Sequence, residues 1–208
     1  MGIQVIIASD SHAGALDFAD RLCRTIGVHY EGSVKVINGG KLFDDFIREG
    51  YGELAGGNEA AKAYLKLQEQ FPYGSLINPT RESLLRQVKF AERTQVLIIT
   101  EVRDAKTIQA LEGLTDRQTI LYFMEASPRL REEEFYRRFP GAERADIRSH
   151  LTDFVGDMED GHTFINIDTK ADFMMKGLGV ARDVLLIAPP PQGPLGGSLG
   201  DDIKEVGI

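Results

Sequence analysis

The chain has 208 residues, enough for one substantial core or for a core carrying a small inserted subdomain. A hydrophobic share of 42% with 27% charged residues describes an ordinary globular protein, and the formal net charge of -8 argues against general nucleic-acid binding, which needs a basic surface to neutralise phosphates. The single cysteine, Cys23, rules out a disulfide framework and points to a reducing compartment.

In chain order, residues 3–7 form an apolar run broken only by Gln4, the pattern of a strand buried on both faces. Residues 8–15 are small and polar. Residues 16–26 then follow at helical spacing, with Leu16, Ala19, Leu22, Cys23 and Ile26 on one face and Asp17, Asp20, Arg21 and Arg24 on the other. Residues 33–37 read as a second strand, closed by Asn38-Gly39-Gly40, and residues 41–48 as a helix with Leu42, Phe43, Phe46 and Ile47 as its stripe. Glycines at 50, 52, 56 and 57 mark a loop, and residues 59–71 return to a helical pattern. Pro72, Gly74, Asn78 and Pro79 punctuate another loop, after which a helix begins with Thr80 as its N-cap.

Residues 96–99 are four apolar residues, three of them β-branched, read as a central strand that ends at Thr100-Glu101-Val102-Arg103. A short helix over 106–111, a strand over 119–124 and a highly charged helix over 128–139 follow. A helix over 145–155, a strand over 163–167 and a last helix over 171–186 complete the pattern. Strands alternate with helices throughout, which predicts an α/β fold of three layers around a mainly parallel sheet. The composition changes at Pro189, so residues 1–188 form the expected domain and 189–208 a Pro/Gly-rich tail with little apolar surface to dock. A basic leader ahead of an apolar run is not read at the start, nor a bilayer-spanning stretch later, so a cytoplasmic setting without a membrane partner is expected.

The opening strand, small-residue loop and helix have the geometry of a P-loop, in which backbone N–H groups and the helix dipole cradle a phosphate. Ser9 and Gly14 stand at the two glycine positions of G-x-x-x-x-G-K-[ST], but Ala15 replaces the lysine and Leu16 the hydroxyl residue. Ala15 falls at a loop–helix junction, read as near solvent, and Leu16 on the apolar face. Asp10 adds an anion to the presumptive nest. At ~4 Å it would repel one phosphate charge by about 4 kcal/mol at an effective dielectric of about 20. His12, if protonated, would offset part of that; an exposed polar loop residue is its simpler role.

Glu101-Val102-Arg103 at the end of a buried strand resembles the D-V-R mark of the deoxynucleoside monophosphate kinases of bacteriophages. Residues 78–85, Asn-Pro-Thr-Arg-Glu-Ser-Leu-Leu, are similar to that family's T-P-R-E helix start with proline and threonine exchanged. Ser149-His150-Leu151-Thr152-Asp153 resembles its H-x-S-E element, and Phe164-Ile165-Asn166-Ile167-Asp168 its I-x-N-D strand. The resemblance implies a P-loop kinase fold with a helical monophosphate-binding insertion over about 40–93 and a lid-like helix over about 128–139. It also implies a nucleoside monophosphate and ATP as ligands, and Mg²⁺ as cofactor if the protein is active. The degenerate loop opens a second reading: an inactive kinase fold with a structural or interaction role, as a phage component or a homodimer.

The candidate residues follow from those two readings. Glu101 could orient a metal-bound water where α/β ligands bind, or simply end its strand and cap a helix or pair Arg103. Arg103, with its bidentate guanidinium, is the expected anion contact, and Glu101 and Arg103 are the candidate catalytic pair. Ser9, Ser11, Gly14, Lys41, Arg81 and Arg103 are the candidate nucleotide contacts, with Arg129 and Arg131 of the lid-like helix. The arginines at 129, 131, 137 and 138 alternate with Glu132, Glu133 and Glu134, so a solvated face of surface ion pairs is the competing role for them. With Ala15 in place of lysine, activity requires Lys41, Lys35 or a lid arginine to reach Gly14. His150 and His162 lack partners at metal-ligand spacing, and no metal site is expected.

Overall fold

In the computed structural model, the described residues are 2–10, 12–30, 33–42, 73–91, 93–102, 105–138, 140 and 163–188; for 73–80, 138, 163, 164 and 170 this covers the backbone. The expected helices over 41–48, 59–71 and 145–155 lie wholly or mostly outside this set, as do the glycine-rich loop and the tail.

Five strands form one sheet: β1 (Ile3–Ser9), β2 (Val34–Asn38), β3 (Val96–Val102), β4 (Gln118–Ala126) and β5 (Thr163–Ile167). Their order is β2-β3-β1-β4-β5, and every pairing is parallel. Parallel pairing demands crossovers that cover both faces, and the helices supply them. These are α1 (Ala15–Gly27), α2 (Tyr73–Phe90), α3 (Ala105–Glu112), α4 (Pro128–Arg138) and α5 (Lys170–Ile187).

The period of two along each strand divides the core. Ile3, Val5 and Ile7 of β1, with Val96 and Ile98 of β3 and Met124 of β4, face Phe18, Leu22 and Ile26 of α1 and Val180 and Val184 of α5. Ile6 and Ala8, with Leu97, Ile99 and Phe123, face Leu84 and Val88 of α2 and Ile108 and Leu111 of α3. Three layers result, with β1 fully buried at the centre beside β3, as its apolar sequence requires. The polar exception, Gln4, is accommodated by donating from Nε2 to the Leu111 carbonyl at 3.1 Å. Arg117 ties the lower edge together, its guanidinium donating to the Ala91 carbonyl at 2.6 Å and to the Ile3 carbonyl at 3.4 Å.

Several boundaries depart from the sequence reading. β1 continues through Ala8 and Ser9, and β3 through Thr100, Glu101 and Val102, because pairing between the central strands carries past the weak strand formers Ala8, Ser9 and Glu101. α2 begins at Tyr73 rather than after Thr80, so Pro79 lies inside a helix. Proline forfeits one helical hydrogen bond, and the buried Leu84 and Val88 anchor the helix on its C-terminal side. The inward face of α1 is Ala15, Phe18, Ala19, Leu22 and Ile26, while Leu16 is 36% exposed. Cys23 packs at the core margin as a free thiol, and burial pushes its pKa up.

α5 begins with a reciprocal cap. The Asp172 carboxylate accepts from the Thr169 backbone N–H at 2.7 Å, the Thr169 hydroxyl at 2.9 Å and the Asp168 N–H at 3.1 Å. These bonds, from Thr169 first, hold the Asp172 carboxyl below its ordinary pKa. Its depressed folded value means that the cap's stabilisation is present above the ordinary aspartate range and is lost as pH falls through the folded value. An NMR titration should therefore show Asp172 protonating later than a free aspartate as pH falls, with the Thr169 amide shift following the same curve.

The phase of α1 gives a second test. Phe18→Ala should cost about 3–5 kcal/mol in denaturant unfolding and Leu16→Ser less than about 1 kcal/mol, the reverse of what the sequence face predicts.

Candidate functional site

The crossover from β1 through α1 runs over one face of the sheet, and that from β3 through α3 over the other. The C-terminal ends of β1 and β3 therefore flank a topological switch point, where open α/β sheets form a ligand crevice.

One wall is the loop that leaves β1. The Asp10 N–H donates to the Met124 carbonyl, and the Ala13 N–H donates back to the Asp10 carbonyl, both at 3.3 Å. His12 takes φ 58 and Gly14 φ 78, so the chain turns through two left-handed residues before α1. At Gly14 a Cβ would come within 2.8 Å of the Phe173 ring, so both the conformation and the space call for glycine. Asp10 is buried, and its carboxylate lies 3.8 Å from the guanidinium of Arg131, whose side chain is 6% exposed. Phe135, one turn after Arg131 on α4, meets His12 edge-to-face at 5.3 Å. The charged helix is thus seated on the loop through a buried ion pair and a ring contact.

The opposite wall is a bulge in β3. Ile7 pairs with Thr100, but Ala8 pairs with Val102, which leaves Glu101 as the extra residue with φ 58. Its carboxylate packs against the turn that follows β2, where a side chain at Gly40 would collide with it. Asn38 caps the same turn by accepting from the Lys41 N–H at 3.0 Å. The hydroxyls of Ser9 and Thr100, buried beneath the crevice, have no hydrogen-bond partner among the described residues.

Between the walls lies a cleft of about 300 Å³ lined by His12, Gly14, Leu16, Asp17, Asn38, Lys41, Glu101, Glu134 and Arg137. An adjoining cleft of about 270 Å³ shares His12, Gly14, Asp17, Glu134 and Arg137 and adds Arg21, Glu133 and Phe173 among others. In the first, the cations Lys41 and Arg137 face the carboxylates of Asp17, Glu101 and Glu134. Arg137 is already engaged, donating to Glu134 at 2.6 and 2.7 Å and lying 3.6 Å from Asp17. Those bonds, chiefly the one to Glu134, raise its pKa further.

The candidates named from sequence are distributed as follows. Gly14, Lys41 and Glu101 share one cleft. Ser9 lies buried at the end of β1, and Arg131 lies on Asp10. Arg129 is exposed and pairs with Glu133 at 3.1 Å, the surface role expected of that arginine group, from which Arg131 departs. Arg81 donates to the Thr107 hydroxyl at 2.9 Å, linking α2 to α3. Lys35 is exposed on β2. Ser11 and Arg103 lie outside the described residues. Asp17, Glu134 and Phe135 were not singled out; Phe135, the apolar residue one turn from Arg131 in a charged run, was the available signal for a buried face on α4.

Among the described residues, positions 15 and 16 bring neither the lysine nor the hydroxyl of a phosphate-binding loop to the cleft. Ala15 is 2% exposed and Leu16 faces the cleft, which reverses the sequence expectation for both positions. A loop N–H is spent on Asp10, and among the described residues no group of three side chains suits a metal ion.

Removing one member of a buried ion pair strands the other. Asp10→Asn or Arg131→Met should each destabilise by about 3–5 kcal/mol, and the double variant by less than the sum, as a denaturation double-mutant cycle would show.

No protein-family model matches the chain, and no curated protein matches its sequence. Solved structures do. The APS kinase of Mycobacterium tuberculosis, whose structure holds AMPPNP and APS, aligns with a TM-score of 0.55 at 13% identity over 89% of this chain and 98% of that chain. A putative kinase from Chloroflexus aurantiacus gives 0.54 at 12% identity over 89% and 97%. The shikimate kinase of Bacteroides thetaiotaomicron gives 0.51 at 13% identity over 89% and 99%. At these identities the likeness shows the fold: the chain has the P-loop kinase architecture.

Proposed function

We propose that this protein is a kinase fold in which phosphoryl transfer has been lost, and which works through binding and interaction rather than catalysis. The observation that carries this reading is the buried Asp10–Arg131 pair. Transfer of a phosphoryl group is largely positioning and neutralisation of charge, so the loop must present donors and cations to the ligand. Here the loop holds a carboxylate, and the buried arginine on the overlying helix answers that carboxylate. Position 15 is a buried methyl group with no cation to offer, and Leu16 brings no hydroxyl to the cleft.

A second reading rests on Lys41 and Arg137, which line the cleft shared by Gly14 and Glu101. They could take the place of the missing lysine in a deoxynucleoside monophosphate kinase using ATP and Mg²⁺. That would require Arg137 to give up its two bonds to Glu134. It would also require phosphate to approach Asp17, Glu101 and Glu134, which is why the first reading is preferred.

Calorimetric titration with ATP and a panel of deoxynucleoside monophosphates, with Mg²⁺ present, separates the two. We expect ATP binding no tighter than about 1 mM, near -4 kcal/mol, and no transfer to any monophosphate. Submicromolar ATP affinity, or phosphorylation of any member of the panel, would overturn the inactive reading.

A further inference from the structure

The face of the sheet that α1 covers is apolar until its C-terminal edge. Ile3, Val5 and Ile7 of β1, Val34 and Val36 of β2, and Val96 and Ile98 of β3 all pack there. The next positions on that face, two residues further along each strand, are Ser9, Asn38 and Thr100. Their pairing agrees, since Ser9 lies beside Met124 of the same core and Thr100 lies between Ile7 and Asn38. Ser9 and Thr100 are 1% and 0% exposed, and neither hydroxyl has a hydrogen-bond partner among the described residues. Asn38 lines the cleft and spends its side-chain oxygen on the Lys41 N–H, which leaves its amide N–H groups to give. Buried polar groups are normally paired, so this edge is a polar floor built to be completed by groups that donate and accept hydrogen bonds.

Above the floor, α1 begins without a side-chain cap. Its first internal bond runs from the Phe18 N–H to the Gly14 carbonyl, so the N–H groups of Ala15, Leu16 and Asp17 have no acceptor within the helix. Gly14, Leu16 and Asp17 line the cleft, which places this turn at its wall. Charge decides what the turn can take. Asp17, Glu101 and Glu134 face the same space, against Lys41 and an Arg137 already bonded to Glu134. An anion is opposed there and a neutral group is not. In the adjoining cleft, the Phe173 ring beside Gly14 forms an apolar wall with Leu130 and Ala13.

We propose that the two adjoining clefts bind an uncharged ring carrying several hydroxyl groups, the chemistry shared by a free sugar and by the sugar of an unphosphorylated nucleoside. A hydroxyl both donates and accepts, which is what N–H donors, a carboxylate and two unpaired hydroxyls together require. The ligand's hydroxyls accept from the first turn of α1 and donate to Asp17. They complete Ser9 and Thr100 through an intervening water, because both lie beneath the cleft surface. The carbons of the ring lie on Phe173, the apolar part of a site whose few polar groups fix orientation. This inference rests on the reading that the site binds without transferring phosphate.

Calorimetry of the full chain with ribose, glucose, adenosine and thymidine, each beside its own monophosphate, tests it. Binding of the nucleosides alone assigns the ligand to that class, and binding of the free sugars assigns it to theirs. Either supports the proposal when the matching monophosphate binds about tenfold more weakly or worse. Asp17→Asn should narrow that gap, because the gap is electrostatic. Thr100→Val keeps the side chain's shape and removes a hydroxyl with no partner in the chain. It should leave the melting temperature unchanged or higher while weakening the neutral ligand about fivefold or more, a combination that a purely structural role would not produce. A monophosphate that binds as tightly as its neutral parent, or Thr100→Val with unchanged affinity, would overturn the proposal. Failure of all four neutral ligands while ATP also stays weak would overturn this inference alone, whereas submicromolar ATP affinity would overturn the inactive reading and this inference with it.

Discussion

The structure depends first on the exit of β1. All seven residues of this strand are buried, with β3 on one side and β4 on the other. The next residue is Asp10, so a carboxylate leaves the sheet while still inside the protein. Removing such a charge from water costs several kcal/mol unless an opposite charge meets it. Arg131 meets it, and that requirement fixes α4 on the loop. Once α4 is held there, Phe135 falls on His12, and Glu134 and Arg137 fall on the cleft beside Gly14. The shape of the site is thus a consequence of how one buried acid is satisfied.

The facing wall follows a parallel logic of displacement and accommodation. The extra residue in β3 forces Glu101 into the left-handed region, which a side chain with a Cβ enters at a cost of roughly 1–2 kcal/mol. The bulge turns its carboxylate from the sheet toward the turn after β2, and Gly40 leaves the space that the carboxylate takes. Bulges and left-handed residues concentrate at sites where a side chain must be aimed. Two such residues, His12 and Glu101, line the same cleft, one on each wall. That is the geometry of a binding crevice.

Much of the fold was legible because burial leaves a strong period. The strand over 163–167 was read with its observed bounds, and the alternation of strands and helices gave the parallel sheet. The errors have physical causes. The end of β3 is missed because Glu101 is locally a poor strand former, whereas the pairing of Thr100 and Val102 with β1 on either side of it is not local. In α1 the expected Ala19, Leu22 and Ile26 are buried, while Leu16 faces the cleft and Ala15 and Phe18 take inward places. The inward ladder runs Ala15, Phe18, Leu22 and Ile26, which leaves Leu16 about 100° from that start. At the site, Gly14, Lys41 and Glu101 could be named from motif position and do share a cleft. The Asp10–Arg131 pair could not, since the two residues are far apart in the chain and nothing local to either names the other. Each was noticed alone, one as a misplaced anion and one as a lid cation, and the fold makes them a single feature.

Asp10 and Ala15 bear on the same quantity, the positive field in the loop. A lysine at position 15 and a bare glycine at the loop entrance would both favour phosphate; the chain has neither. What remains in the cleft is Lys41, with Arg137 tied to Glu134, against Asp17 and Glu101. At an effective dielectric of about 20, a carboxylate charge ~4 Å from a ligand anion opposes it by about 4 kcal/mol before any screening by its own cation. The opposition grows with the number of charges the ligand carries, so a triphosphate meets the most and a neutral group almost none. A lysine placed at position 15 would leave the buried Asp10–Arg131 pair and the cleft carboxylates as they are. The loop's backbone turn is held by the packing of Gly14 against Phe173, which involves no charge.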